Sequence, residues 1–222
     1  MYYFINGGGR EFDHLHELNN RNWFIENGIK TLLVIPLAIK EEHWQERWNN
    51  PTQLFDGSPD VTSITTYTDR EEAINRINSA DAIYFPGGSQ ETLIRRLVDE
   101  MHLLETIKSA TNLKAIGGGS AGMMAMGESV LVGASTIKRV DPGLNLIPET
   151  IFDSHFTKHS RLKRLKKSLV DLTNYLGYGI DENTGAILND QYEIMKIIGP
   201  GTLTKIGKNR EISVYDQNTL FN

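Results

Sequence analysis

Chemistry in this chain is most readily placed at Ser120. It sits in Gly118-Gly119-Ser120-Ala121-Gly122, which fits G-x-S-x-G, between an apolar run (Leu113–Ile116) and a stretch of small and methionine residues that opens a helix. A nucleophile elbow needs that context. The sharp strand-to-helix turn tolerates only small neighbours, lifts the serine Oγ off the sheet and aims the next backbone N–H, here that of Ala121, at a developing oxyanion. A serine also needs a base within hydrogen-bond reach and a third group to orient that base. Four of the six histidines, His14, His16, His43 and His102, fall in predicted helices, where packing or exposure accounts for them. His155 instead closes the apolar run Ile151-Phe152-Asp153-Ser154-His155-Phe156, and His159 competes with it four residues on. The acid is sought at another strand end, where Asp181 and Glu182 follow Gly179-Ile180. Asp141 is the second choice, and Asp153 lies too near His155 in sequence.

The same glycines also spell G-x-G-x-x-G, as Gly117, Gly119 and Gly122, with Asp141 near the distance of a ribose-binding acid. That dinucleotide pattern requires a full helix after the turn. Gly127, Ser129 and Gly133 interrupt the stretch where the helix would run, and four strands precede a motif that usually opens its domain. Dinucleotide binding is the weaker alternative.

The elements that must position these groups follow from apolar periodicity. Tyr2–Ile5, Leu32–Ile35, Val61–Thr66, Ala82–Phe85 and Leu113–Ile116 read as buried strands. Between them Phe12–Asn27, Glu41–Phe55, Asp69–Asn78 and Gln90–Lys108 have helical length and pattern, with Asp69 as an N-cap and Glu72 three residues on. Such alternation predicts an α/β fold with a mostly parallel central sheet and helices on both faces. Ligands then bind beyond the carboxyl ends of the strands. Gly7-Gly8-Gly9-Arg10, Pro86-Gly87-Gly88-Ser89-Gln90 and Gly117 to Gly122 should leave on that one rim. Past Gly122 the chain is strand-rich: Val130–Val132, Ile151–Phe156, Tyr178–Ile180, Ala186–Leu188, Ile194–Ile198, Leu203–Ile206 and Ile212–Tyr215, with one helix around Ser160–Leu176. These strands are expected to extend the same sheet as antiparallel additions. No linker composition marks a boundary, so residues 1–222 are read as one domain. In the basic segment Lys158–Lys167, Leu162, Leu165, Leu169, Leu172 and Leu176 form a stripe facing the sheet. Lys163, Lys166 and Lys167 then face solvent, while Arg161 and Arg164 flank the stripe near His155 and could grip a carboxylate bidentately.

Taken in order, the elbow at Gly118–Gly122, Gly143-Leu144-Asn145-Leu146-Ile147-Pro148, Asp153-Ser154-His155-Phe156 with Arg161, Arg164 and Leu165, and Gly179-Ile180-Asp181-Glu182 resemble the peptidase E/cyanophycinase family of serine peptidases. The likeness runs from about Tyr84 to Ile206 and is closer to the cyanophycinase branch. It implies an α/β fold akin to class I glutamine amidotransferases, a Ser120-His155-Glu182 triad, and an oxyanion hole from the backbone N–H groups of Gly88 and Ala121. Gln90, Asp153, Arg161 and Arg164 fit the family's substrate-binding positions. Ser154 and His159 depart from the pattern, where glutamine and arginine stand. The substrates implied are peptides with an aspartyl residue on the acyl side, either α-aspartyl dipeptides or a β-aspartyl linkage of the cyanophycin type. Rival readings are an esterase or amidase on a non-peptide substrate and a non-catalytic anion- or nucleotide-binding module.

Composition bounds the rest. Over 222 residues, 39% hydrophobic and 23% charged describe an ordinary globular chain long enough to bury a core unaided. A net charge of −5 argues against nucleic-acid or anionic-membrane partners. The absence of cysteine excludes disulfides, thiolate metal sites and a cysteine nucleophile. No metal or organic cofactor is required by the inferred chemistry. The N-terminus has no basic n-region and no apolar run approaches a membrane span, so a cytoplasmic protein is expected, with homodimerisation left open.

Overall fold

Short apolar runs become strands here because both faces of each are covered, as Leu32, Leu33 and Val34 illustrate by all being buried. The computed structural model describes residues 1–9, 26–44, 60–133 and 139–221. Its first sheet contains β1 (Tyr2–Asn6), β2 (Thr31–Val34), β3 (Asp60–Ser63), β4 (Ala82–Phe85) and β5 (Ala115–Gly119), parallel in the order β1-β5-β4-β2-β3. Two antiparallel strands, β10 (Gly185–Leu188) and β11 (Ile194–Ile198), extend it beyond β1. The predicted helix at Asp69 is present as Arg70–Ser79, with the Asp69 carboxylate accepting from the Glu71 and Glu72 N–H groups. Its buried side is Ala73 and Ile77.

The C-terminal strands do not all join that sheet. A second sheet is built from β6 (Gly127–Val132), β7 (Arg139–Pro142), β8 (Ile147–Asp153), β9 (Leu176–Ile180), β12 (Leu203–Ile206) and β13 (Ile212–Tyr215), in the order β13-β12-β9-β8-β6-β7. The reason is length. A crossover that returns to a neighbouring parallel position takes a dozen or more residues, whereas only the helix Ala121–Met126 separates β5 from β6. Six helical residues advance the chain about 9 Å, roughly one layer thickness, and deliver it to a new sheet. That helix is buried along its whole length and packs against β5, β6 and β8. One cluster of buried apolar side chains runs through both sheets, from Ile5, Leu33 and Ile83 to Ile151, Phe152 and Tyr178.

Two predicted helices are shorter than expected. Gln90–Lys108 is a helix at Gln90–Ile94, π-wound over Arg95–Glu100, then broken before Leu104–Ser109, with His102 at φ 52. Leu93 and Leu97 are buried, as are Leu103 and Ile107. The step from Leu97 to Leu103 is out of helical phase, so one unbroken helix would swing the second pair away from the sheet. Ser160–Leu176 is helical only over Leu162–Ser168. Leu165 and Leu169 are buried as expected, but Leu162 is exposed and Leu176 begins β9. The predicted helix Phe12–Asn27, with His14 and His16, lies almost wholly outside the described residues, as does most of Glu41–Phe55 beyond a short turn at Glu41–His43. No helix among the described residues is long and apolar enough to cross a membrane.

Candidate active site

Parallel registration brings the first group together. Asn6 pairs with Gly119 and Phe85 with Gly118, so the loops after β1, β4 and β5 leave on one rim. Ser120 follows at φ 49 and ψ −112, a conformation that costs a non-glycine residue on the order of 1–3 kcal/mol. The turn is closed from both sides: Ser120 N–H donates to Asn6 O at 2.9 Å, and Met124 N–H to Ser120 O at 2.9 Å. Gly122 must be glycine, because a Cβ there would lie 1.9 Å from Phe85 O. Ser120 begins a helix without capping it, which leaves Oγ for other work.

The second sheet supplies the partners. Asp153 pairs with Gly179 in parallel β8 and β9, so the two following turns emerge side by side. His155, at φ 49, donates its N–H to Gly7 O at 3.0 Å, and its Nε2 stands 2.9 Å from Ser120 Oγ. Its Nδ1 stands 2.7 Å from Glu182 Oε1. One continuous relay therefore runs hydroxyl, imidazole, carboxylate, with the two ring nitrogens facing different partners. His159 lies alongside, its ring centroid 5.9 Å from that of His155, and has no part in the relay. Asp181 turns away, accepting from Thr157 N–H and from Thr202 N–H and Oγ–H. Asp141 is on β7, paired with Arg139.

Comparison with known proteins settles the lineage. The profile of Peptidase family S51 matches residues 4–195. The chain belongs to that family. It is a serine peptidase of the peptidase E/cyanophycinase lineage. A cyanophycinase of Geminocystis herdmanii (strain PCC 6308) is 30% identical, over 89% of this chain and 77% of its own length. A cyanophycinase of Synechococcus elongatus is 28% identical over 61% of this chain, and the match spans 44% of that relative. Among solved structures, a peptidase from an acI-B1 Actinobacterium superposes with a TM-score of 0.71 at 20% identity, covering 98% of this chain and 95% of that one. A putative peptidase E protein from Listeria monocytogenes EGD-e gives 0.60 at 17% identity, covering 90% and 98%. At those identities the likeness speaks for the fold.

The remaining residues singled out from sequence have the following partners. Gln90 donates Nε2–H to Leu131 O at 2.9 Å. Asp153 is fully buried beneath His155, between Arg161 (NH1 to Oδ1, 2.8 Å) and Arg164 (Nε to Oδ2, 3.0 Å). Burial pushes the Asp153 carboxyl up while Arg164 and Arg161 pull it down. Arg161 also donates to Ser154 O, and Arg164 to Gly133 O. Gly88 lies on the loop tied by Ser89 N–H to Ala38 O, with Gly87 beside Ser120.

Four further residues at the site were given no individual role from sequence. Gly8, at φ 83, touches both Ser120 and His155. Ser154 is buried with Oγ 3.5 Å from Ser120 Oγ and donates to Met124 Sδ. Asn6 accepts the Gly8 N–H on Oδ1. Lys158 donates Nζ–H to both oxygens of Glu182. The triple glycine after β1 was the available signal for the first; nothing in residue type or spacing separated Lys158 from its basic neighbours.

Proposed function

We infer that this serine peptidase hydrolyses peptides bearing an aspartyl residue on the acyl side of the scissile bond, with Ser120, His155 and Glu182 as its triad. The observation that carries the reading is the unbroken relay at 2.9 Å and 2.7 Å across three separate segments of chain. His155 Nε2 takes the Ser120 proton as Oγ attacks the carbonyl carbon. The backbone N–H groups of Gly88 and Ala121 receive the oxyanion; such a donor is worth roughly 3–4 kcal/mol. His155 then gives the proton to the leaving amine, the C–N bond breaks, and an acyl-enzyme remains. Water attacks that ester as His155 takes its proton, the aspartyl acid leaves, and the proton returns to Ser120 Oγ. Glu182 fixes the imidazole tautomer and stabilises its cation.

Aspartyl specificity is supported by family membership and by the cyanophycinase relatives. Arg161, partly exposed and paired with Asp153, would meet a substrate carboxylate on this reading. Arg164 pairs with the other oxygen of Asp153, and Gln90 is held by Leu131 O. A dinucleotide is disfavoured because the helix after the glycine turn is six residues long and buried.

The test is hydrolysis of Asp-Leu, β-Asp-Arg, β-Asp-Leu and Glu-Leu by wild type and Ser120→Ala. Aspartyl peptides should be cleaved and Glu-Leu spared, with Ser120→Ala down by about 10⁴-fold or more. Undiminished turnover in Ser120→Ala would sink the triad; cleavage of Glu-Leu alone would sink the substrate.

A further inference from the structure

The Glu182 carboxylate has a second partner that the three-residue relay does not use. Lys158 lies three residues past His155 and directs Nζ at Oε1 (2.9 Å) and Oε2 (2.7 Å) together. Its backbone is not free to wander. The turn that carries it is closed by Ser160 N–H to Thr157 O and Arg161 N–H to Phe156 O, and Thr157 N–H is anchored on Asp181. An ordinary exposed ion pair contributes little to stability, and Lys158 is 53% exposed. This pair differs in what its carboxylate is for. Oε1 already accepts the His155 Nδ1 proton, so any rotation of the carboxylate misaligns the imidazole. Two bonds from one ammonium, one to each oxygen, fix that rotation.

We propose that Lys158 is a positioning residue of the triad: it locks the orientation of the Glu182 carboxylate against His155. The proposal rests on the triad reading above. The charge environment agrees with the geometry, since the Lys158 ammonium is the foremost cause holding the Glu182 carboxyl below its usual range, ahead of His155. Among the described residues a further titratable neighbour is His159, with Arg161 near it and already paired with Asp153. Burial, Arg161, His155 and Lys158 all press His159 toward its neutral form, so it does not replace the ammonium at Glu182.

The experiment measures the rate of Ser120 labelling by a fluorophosphonate probe against pH, for wild type, Lys158→Met and Lys158→Arg, with thermal midpoints alongside. Labelling reads the nucleophile without assuming a substrate. Methionine keeps the stem and removes the charge. Its plateau rate should fall about tenfold, as expected when a catalytic group loses alignment. Its acid limb should move up by roughly half a unit, the scale of one partly screened charge at short range. The sign follows from the charge removed: without the ammonium the relay sits in a more negative surrounding, which favours taking up a proton, so it fails sooner on acidification. Raising the salt concentration should shift the wild-type limb the same way and leave the Lys158→Met limb in place. Lys158→Arg should restore both rate and limb, and the midpoints should agree within about 1 °C because the pair is exposed. A Lys158→Met profile that superimposes on wild type refutes the lysine and spares the triad. No labelling of Ser120 in wild type brings down the triad and the lysine with it.

Discussion

Gly8 governs how closely Ser120 and His155 can meet. A Cβ at this position would lie 2.8 Å from Ser120 Cβ and 2.9 Å from His155 Nε2, on a backbone at φ 83. Neither neighbour is the loose end of a long side chain, so one of them must move. Gly8→Ala should therefore cost about 1 kcal/mol in left-handed strain and roughly 10²-fold in turnover, since a shift near 1 Å is enough for that. Urea unfolding and steady-state kinetics on one preparation check the two together, and unaltered turnover would contradict the packing. The meeting of Ser120 and His155 was legible because each stands where an apolar run ends. Lys158 was not, because it precedes the helix and sits in a turn whose direction only Asp181 and Thr157 decide. A helical wheel assigns Lys163 a face but has nothing to say about a turn.

At the scale of elements, Asp181 ties together the chain at the ends of three paired strands. It directly follows β9, holds Thr157 after β8 through Oδ1, and holds Thr202 before β12 through Oδ2. Burial raises its carboxyl, but the bonds from Thr157 and Thr202 outweigh that and hold it below its ordinary value. Asp181→Asn leaves one of those N–H groups without an acceptor, a loss of about 1–3 kcal/mol at neutral pH. A depressed folded carboxyl stabilises fully above its unfolded value, near pH 4, and the contribution drains away as pH falls through the folded one. Urea midpoints of wild type and variant should thus converge between pH 7 and pH 3; an unchanged gap would rule out the carboxylate as the source. Strands such as Ala82–Phe85 were readable residue for residue, since a short apolar run bounded by Asp81 and Pro86 has one outcome. The long helix at Gln90 was misread because the pattern before Leu97 and the pattern after Leu103 are each helical, and only their relative phase betrays the break. β7 went unread because Arg139-Val140-Asp141-Pro142 is an edge strand with a mostly exposed burial pattern and no apolar run to announce it.

On the scale of the whole molecule, the count of strands was close and their distribution between layers was not. Apolar periodicity says that a strand is buried; it does not say in which sheet. The deciding quantity was the brevity of Ala121–Met126, which was used against a dinucleotide site and not to place the strands that follow. The shared apolar cluster spanning both sheets favours one cooperative unit. Calorimetry of the full chain should then give a single transition, with the van't Hoff and calorimetric enthalpies equal; two resolved transitions would mean that the layers fold apart. The serine is carried by one layer while the imidazole and carboxylate are carried by the other. On the proposed triad, proton traffic would consequently cross a geological fault, and slippage too slight to loosen any strand would part the hydroxyl from its acceptor. Engineers wanting a hardier catalyst gain more by riveting that boundary, near Gly7 and Gly8, than by reinforcing either slab alone.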